Sequence, residues 1–236
     1  MRMKDKRAEQ DARRKRHKAA LSTAKLRKIE PLLVLDEPTR IERQSILIVC
    51  EGVNTEPSYF RQFRLTSTRI VALGAGCETI RVVERAFEEQ QKGKYDQTWV
   101  VFDKDDFSSN NFNTAIEKAR HLNFGVAYSN QAFEYWLVLH FEDHQGGGMH
   151  RNDYHGKLNE HLASLGLSYD GKGSKTISKA IFDSLLAFDP ELNKPRMEVA
   201  IDRAKRIFNS YDHRSPAEEE SSTAVFLLVE EILKYK

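Results

Sequence analysis

The sequence predicts an α/β fold: a parallel β-sheet sandwiched by helices, followed by a helical C-terminal part. Three observations carry that expectation. Ile46-Leu47-Ile48-Val49-Cys50 is an unbroken apolar run rich in β-branched residues, as in a strand buried on both faces of a parallel sheet. Three further short apolar runs follow, separated by segments of helical periodicity. From Ala132 onward the strand-like runs cease and the helical pattern continues alone.

Residues 1–30 are polar and charged, with apolar contributions from Leu21, Leu26 and Ile29, and read as a basic, mobile or solvated helical arm. Pro31 and Pro38 bracket a linker. The first strand, residues 46–50, ends at Glu51-Gly52, and Pro57 opens a helix carrying Tyr59, Phe60 and Phe63, with Glu56 placed to favour its positive N-terminus. Residues 69–73 form a second strand closed by Gly74 and Gly76, and residues 79–91 an amphipathic helix. Residues 98–102 form a third strand that runs directly into Asp103-Lys104-Asp105-Asp106. A helix over 113–122 leads to a short fourth strand, 125–128, ending at Ser129-Asn130. Helices are then expected at 132–142, 152–165, 175–187, 196–209 and 222–235, with turns at 146–148 and 171–173.

Charge divides the chain in a way its total conceals. The 236 residues hold 37 basic and 35 acidic side chains, a formal charge of +2. Residues 1–28 carry twelve Lys or Arg against three Asp or Glu, net +9, which leaves 25 basic and 32 acidic residues beyond them, net −7. A basic arm precedes an acidic body. With 40% hydrophobic and 10% aromatic residues the body can bury a real core, which excludes intrinsic disorder for most of the chain. Two cysteines, Cys50 and Cys77, make no disulfide framework and fit a reducing compartment. The first twenty residues have no apolar segment, and no later run approaches the ~20 apolar residues that cross a bilayer, so a cytoplasmic protein is expected.

In an open parallel sheet, ligands gather beyond the carboxyl ends of the strands. Glu51 directly follows strand one, and Asp103, Asp105 and Asp106 directly follow strand three. Taken singly, such acids also suit helix caps or polar turns. Together they supply hard oxygen ligands suited to Mg²⁺ or Mn²⁺, which can bind phosphate oxygens and activate water. Glu134, set among Phe133, Tyr135, Trp136 and Leu137, faces solvent or needs a cation to offset its desolvation, as a supporting metal ligand or general base. Ser129 and Asn130, at the fourth strand's end, are candidates to hydrogen-bond a phosphate or to orient Glu134, or simply to form a turn.

These residues carry a family resemblance. Ile48-Val49-Cys50-Glu51-Gly52, Thr55-Glu56-Pro57 and Tyr59-Phe60 resemble the opening signature of the RloB-like proteins, a branch of the Toprim superfamily. Val101-Phe102-Asp103-Lys104-Asp105-Asp106 resembles the family's Asp-x-Asp block, and Ser129-Asn130 with Phe133-Glu134-Tyr135-Trp136 and Leu139-His140-Phe141 resembles its third block. The resemblance implies a Toprim-like core over 44–145, with 146–236 as a helical part packed on it. It also implies that Glu51, Asp103 and Asp105 handle Mg²⁺ in phosphodiester hydrolysis, in bacterial phage-defence or restriction-linked loci, often beside an ATPase partner. Lys172, in Tyr169-Asp170-Gly171-Lys172-Gly173, resembles a family Tyr-x-Lys-Gly element with one residue inserted, and Lys175 competes for its role of neutralising phosphate charge. The final Pro-Ser-Thr-x-Val block departs from the family, with Glu220-Ser221 where Asn-Pro is usual.

Other signals point away from further chemistry. His140, His144, His150, His155 and His161 lie within 22 residues, but no His-Glu-x-x-His pattern accompanies them and no zinc site is expected. Gly171-Lys172-Gly173-Ser174-Lys175 lacks P-loop spacing. The expectation is a Mg²⁺- or Mn²⁺-dependent nuclease acting on RNA such as tRNA, or on DNA, in which Arg13, Arg14, Lys15 and Arg16 of the arm contact phosphates with little sequence preference. The rival reading is a partner-controlled nucleic-acid-binding or regulatory module with no activity alone. Topoisomerase or primase chemistry asks for a longer chain. Oligomeric state is left open, a homo-oligomer included.

Overall fold

A computed structural model describes residues 3–26, 44–105, 108–145 and 147–236, with side chains from residue 9 to 22 in the first of these segments. The Pro31–Pro38 linker and Asp106 lie outside the described residues. Residues Met3–Leu26 form one 24-residue helix, α1, built from Lys, Arg, Glu and Ala, all strong helix formers. Every described side chain on it is exposed, Leu21 included.

From residue 44 the order is β1 (Gln44–Cys50), α2 (Thr55–Phe60), β2 (Thr68–Gly74), α3 (Thr79–Lys92), β3 (Gln97–Asp103), α4 (Ser109–His121) and β4 (Gly125–Ser129). The four strands form one parallel sheet in the order β2-β1-β3-β4. The chain leaves β1 toward one edge to make β2, then returns to β1's other side as β3. That reversal opens a crevice at the carboxyl ends of β1 and β3.

The alternation along β1 divides the interior into two layers. Leu47 and Val49 pack with Val82, Val83 and Ala86 of α3 and with Phe112 and Ile116 of α4. Ile46, Ile48 and Cys50 face the opposite way, into a layer made by α2 and the C-terminal helices. All five are fully buried, as an uninterrupted apolar run requires. The helices of the second layer are α5 (Glu134–Val138), α6 (Arg151–Ala163), α7 (Lys179–Leu186), α8 (Arg196–Phe208) and α9 (Val225–Leu233), with a 3₁₀ turn at Pro216–Glu218. Trp136, Tyr154, Leu158, Phe226, Val229 and Ile232 share one core with the sheet.

Local chemistry explains where elements differ from the expected bounds. Pro57 is the third residue of α2 rather than its first, still within the first turn, where backbone amides lack helical acceptors. The helix expected over 132–142 narrows to α5: the Phe133 amide just before it bonds to the Asp103 carboxylate at 3.1 Å, and the residues after Val138 continue as turns. The helix expected from 175 begins at Lys179, capped by the Ser178 hydroxyl at 3.3 Å from the Ile181 amide. Asp170 takes the Gly173 and Ser174 amides at 2.8 Å and holds the preceding residues as a turn. The segment expected to start the last helix at 222 first runs beside β4, with Thr223 bridging Ser129 antiparallel, so α9 starts at Val225. A two-residue hairpin, β5 (Phe188–Asp189) with β6 (Lys194–Pro195), is too short to show a strand period in the sequence. Among the described residues no helix is long and apolar enough to cross a membrane.

Candidate active site

The end of β1 is fastened on both sides. The Glu51 amide donates to Val101 O of β3 at 2.8 Å, while Cys50 O and Glu51 O accept from Ala75 and Gly76 at 2.8 and 2.9 Å. These bonds leave the Glu51 side chain at the sheet's carboxyl edge. Its Oε2 accepts the Asp103 amide at 3.0 Å, and its Oε1 accepts from the Thr79 hydroxyl at 3.4 Å. Two glycines make room for the turn. A Cβ at Gly74 would lie 2.5 Å from Val53 Cα, and one at Gly52 would lie 2.3 Å from the Glu56 carboxylate.

Glu56 stands in the first turn of α2, only 5% exposed, and its Oε1 accepts from the Gly52 amide at 3.2 Å. Asp103 is the last residue of β3, and its Oδ2 accepts from the Phe133 amide. Its Oδ1 is buried without a partner among the described residues. Glu134 opens α5, and its Oε1 accepts from the Tyr169 hydroxyl at 2.7 Å, a group that also bonds Thr55 Oγ1 at 3.1 Å. Asp105 follows on a left-handed turn residue, φ 46°, and is paired with the Arg151 guanidinium.

One cavity of about 470 Å³ is lined by Glu51, Glu56, Asp103, Asp105 and Glu134, and its two cationic side chains are Arg151 and Lys175. Burial and mutual repulsion make Glu51, Glu56 and Asp103 hold protons abnormally well. Burial, then the charge of Glu56, raises Glu51 to about 7, against which the Asp103 amide works. Asp103 is raised well above the usual carboxylate range by burial and by Glu56, Glu134 and Glu51. Glu56 is raised as well, mainly by burial.

The residues fit a hard divalent cation in two respects. The donor set is all oxygen, and the orphaned Asp103 Oδ1 is a buried acceptor that a cation would satisfy. Among the described residues no three of these groups already converge on one point, and Asp105 is engaged by Arg151.

Glu51, Asp103, Asp105 and Glu134, separated by up to 83 positions in sequence, thus share a cavity. Lys172 is exposed, whereas Lys175 lines the cavity from its own left-handed position, φ 50°. Ser129 and Asn130 do not line it. They are 1% and 0% exposed, with Ser129 Oγ 3.0 Å from Thr223 Oγ1 and Asn130 Nδ2 donating to Pro216 O at 2.8 Å. Buried in this way, they brace the C-terminal segment and offer nothing to a phosphate, which corrects the role expected of them. Arg13, Arg14, Lys15 and Arg16 are exposed on α1.

Sequence reasoning passed over Glu56, Tyr169 and Arg151. Glu56 had a signal, since Tyr59 and Phe60 at i+3 and i+4 turn its helix face inward. Arg151 lies 46 residues from Asp105, and no local pattern links them.

A family model described as RloB-like protein matches residues 46–232 of the chain. No curated protein and no solved structure matches it.

Proposed function

Because this chain belongs to the RloB-like family, we propose that it is a Mg²⁺-dependent nuclease of the Toprim type, hydrolysing phosphodiester bonds in RNA such as tRNA or in DNA. The observation that carries this reading is the unpartnered, buried Asp103 Oδ1 inside a cavity of mutually repelling acids. Such an arrangement costs stability in the empty protein and is relieved by a cation. Glu51 and Asp103 would hold the ion, with Asp105 adding to its ligands.

When bound, Mg²⁺ supplies charge neutralisation and polarisation of the phosphoryl oxygens. The chain's own groups supply placement and proton transfer. The Asp103 amide and Thr79 hydroxyl fix the Glu51 carboxylate, and Tyr169 fixes Glu134 through Oε1. Glu134 takes a proton from the attacking water as the new P–O bond forms; the bond to the leaving oxygen breaks with its electron pair on that oxygen, which takes a proton from solvent, giving a phosphomonoester and a free hydroxyl. Lys175, which makes no ion pair among the described residues, offsets the charge developing on the phosphate. The basic helix α1 gathers the polyanion without sequence preference. A defence setting and an ATPase partner, which the family resemblance implies, belong to the same proposal.

The deciding experiment is cleavage of mixed tRNA, single-stranded RNA and DNA by the purified chain with Mg²⁺ or Mn²⁺. Cleavage that disappears in Glu51→Gln and Asp103→Asn supports the reading. Cleavage that survives both substitutions defeats it.

A further inference from the structure

Asp105 is the one carboxylate of the cavity held in an ion pair among the described residues. Its partner, Arg151, is the first residue of α6, in the C-terminal helical part. Both side chains are about 30% exposed at the cavity wall, within reach of an entering anion. A guanidinium fork fits a carboxylate and a phosphate equally well, and the Arg151 N–H that now holds Asp105 is one that a bidentate phosphate would claim. The ion pair therefore withholds an oxygen donor from the cation site for as long as Arg151 is unclaimed.

We propose that Arg151 is a phosphate-binding residue whose resting partner is Asp105, so that a phosphodiester arriving on Arg151 releases Asp105 to the cation site. This rests on the nuclease reading above. Nucleic acid and cation then each tighten the other's binding, because coupling between two ligands is reciprocal. The empty protein is kept from assembling its full ligand set before substrate is present.

The test measures Mn²⁺ affinity of the full chain by electron paramagnetic resonance of free Mn²⁺. It is made with and without single-stranded phosphorothioate oligonucleotides, in ribo and deoxyribo form, which resist cleavage. The wild-type chain should bind Mn²⁺ about tenfold more tightly with one of the oligonucleotides present. Arg151→Met should bind Mn²⁺ several-fold more tightly than wild type without oligonucleotide, and should gain little when it is added. That gain should vanish when Asp105→Asn is also present, because the freed donor is gone. Lys175→Met serves as control for simple loss of positive charge, and any gain it gives should persist alongside Asp105→Asn. Arg151→Lys keeps the resting pair but loses the fork, so its Mn²⁺ affinity alone should stay near wild type while the coupling falls. Wild-type Mn²⁺ affinity in a folded Arg151→Met chain, or a gain that persists in the double variant, overturns the proposal. Unchanged Mn²⁺ affinity in Asp103→Asn defeats the nuclease reading instead.

Discussion

The backbone amide of Asp103 donates to the carboxylate of Glu51 across 3.0 Å, so acids at the ends of two adjacent strands form one element. Moving either one disturbs the other. The bond also lowers the tendency of Glu51 to take up a proton, against the burial that raises it.

Replacing Asp103 separates stability from activity. Asp103→Asn keeps an acceptor for the Phe133 amide and cannot ionise, so it escapes the burial and the repulsion from Glu56, Glu134 and Glu51 that penalise the Asp103 carboxylate. The cation-free variant should melt about 2–5 °C above wild type, corresponding to about 1–2 kcal/mol. Nuclease rate should fall by at least about 10²-fold. Calorimetry without metal, beside a cleavage assay with Mg²⁺, checks both.

The pH dependence of stability has a definite sign. Glu51 holds its proton up to about 7 in the folded chain, against an ordinary value of 4.5, and Asp103 is shifted the same way. Between those limits the folded state binds more protons than the unfolded one, so unfolding free energy falls as pH rises. The part due to Glu51 is present in full below about 4.5 and is lost as pH rises through about 7. In EDTA the melting temperature should drop from pH 5.5 to pH 8, and Glu51→Gln should flatten part of that slope. Mg²⁺ should raise it more at pH 8 than at pH 5.5. A slope unchanged in Glu51→Gln counts against Glu51 as its source.

Tyr169→Phe removes the hydroxyl that bonds Glu134 at 2.7 Å and Thr55 at 3.1 Å. The ring stays packed, so the fold should lose only about 1 kcal/mol. A tenfold or greater fall in kcat with KM little changed is expected, since the hydroxyl orients the proton acceptor rather than the substrate.

Gly74→Ala tests the turn that places Glu51. The new Cβ would meet Val53 Cα at 2.5 Å and Gly52 O at 2.7 Å, both backbone atoms with little freedom to retreat. Destabilisation of about 1–3 kcal/mol by denaturant titration is expected. Mg²⁺ should stabilise this variant less than it does wild type.

Deleting residues 1–28 removes net charge +9. Nucleic-acid binding should weaken, and its dependence on salt should flatten, because fewer counterions are released. Metal-dependent cleavage should persist. Equal affinity and equal salt slope with and without the arm would defeat the role assigned to Arg13, Arg14, Lys15 and Arg16.

Much of the architecture was legible because it is written locally. The run from Ile46 to Cys50 has to be buried on both faces, and Glu51 and Asp103 follow their strands directly. Strand order was not legible, since it depends on which edge β2 and β3 choose. Arg151 was invisible for the same reason, as nothing near it in sequence points to Asp105. Ser129 and Asn130 were misjudged because polar residues at a strand end look solvent-facing until a distant segment covers them. Thr223 and Pro216 do so here, more than eighty residues later in the chain.

That late closure also orders events during synthesis. Ser129 and Asn130 are covered by residues 216–223, and Arg151, Tyr169 and Lys175 all emerge from the ribosome after the acids they serve. A chain ended before residue 151 holds all four strands of the sheet in its sequence and lacks the residues that complete the cavity.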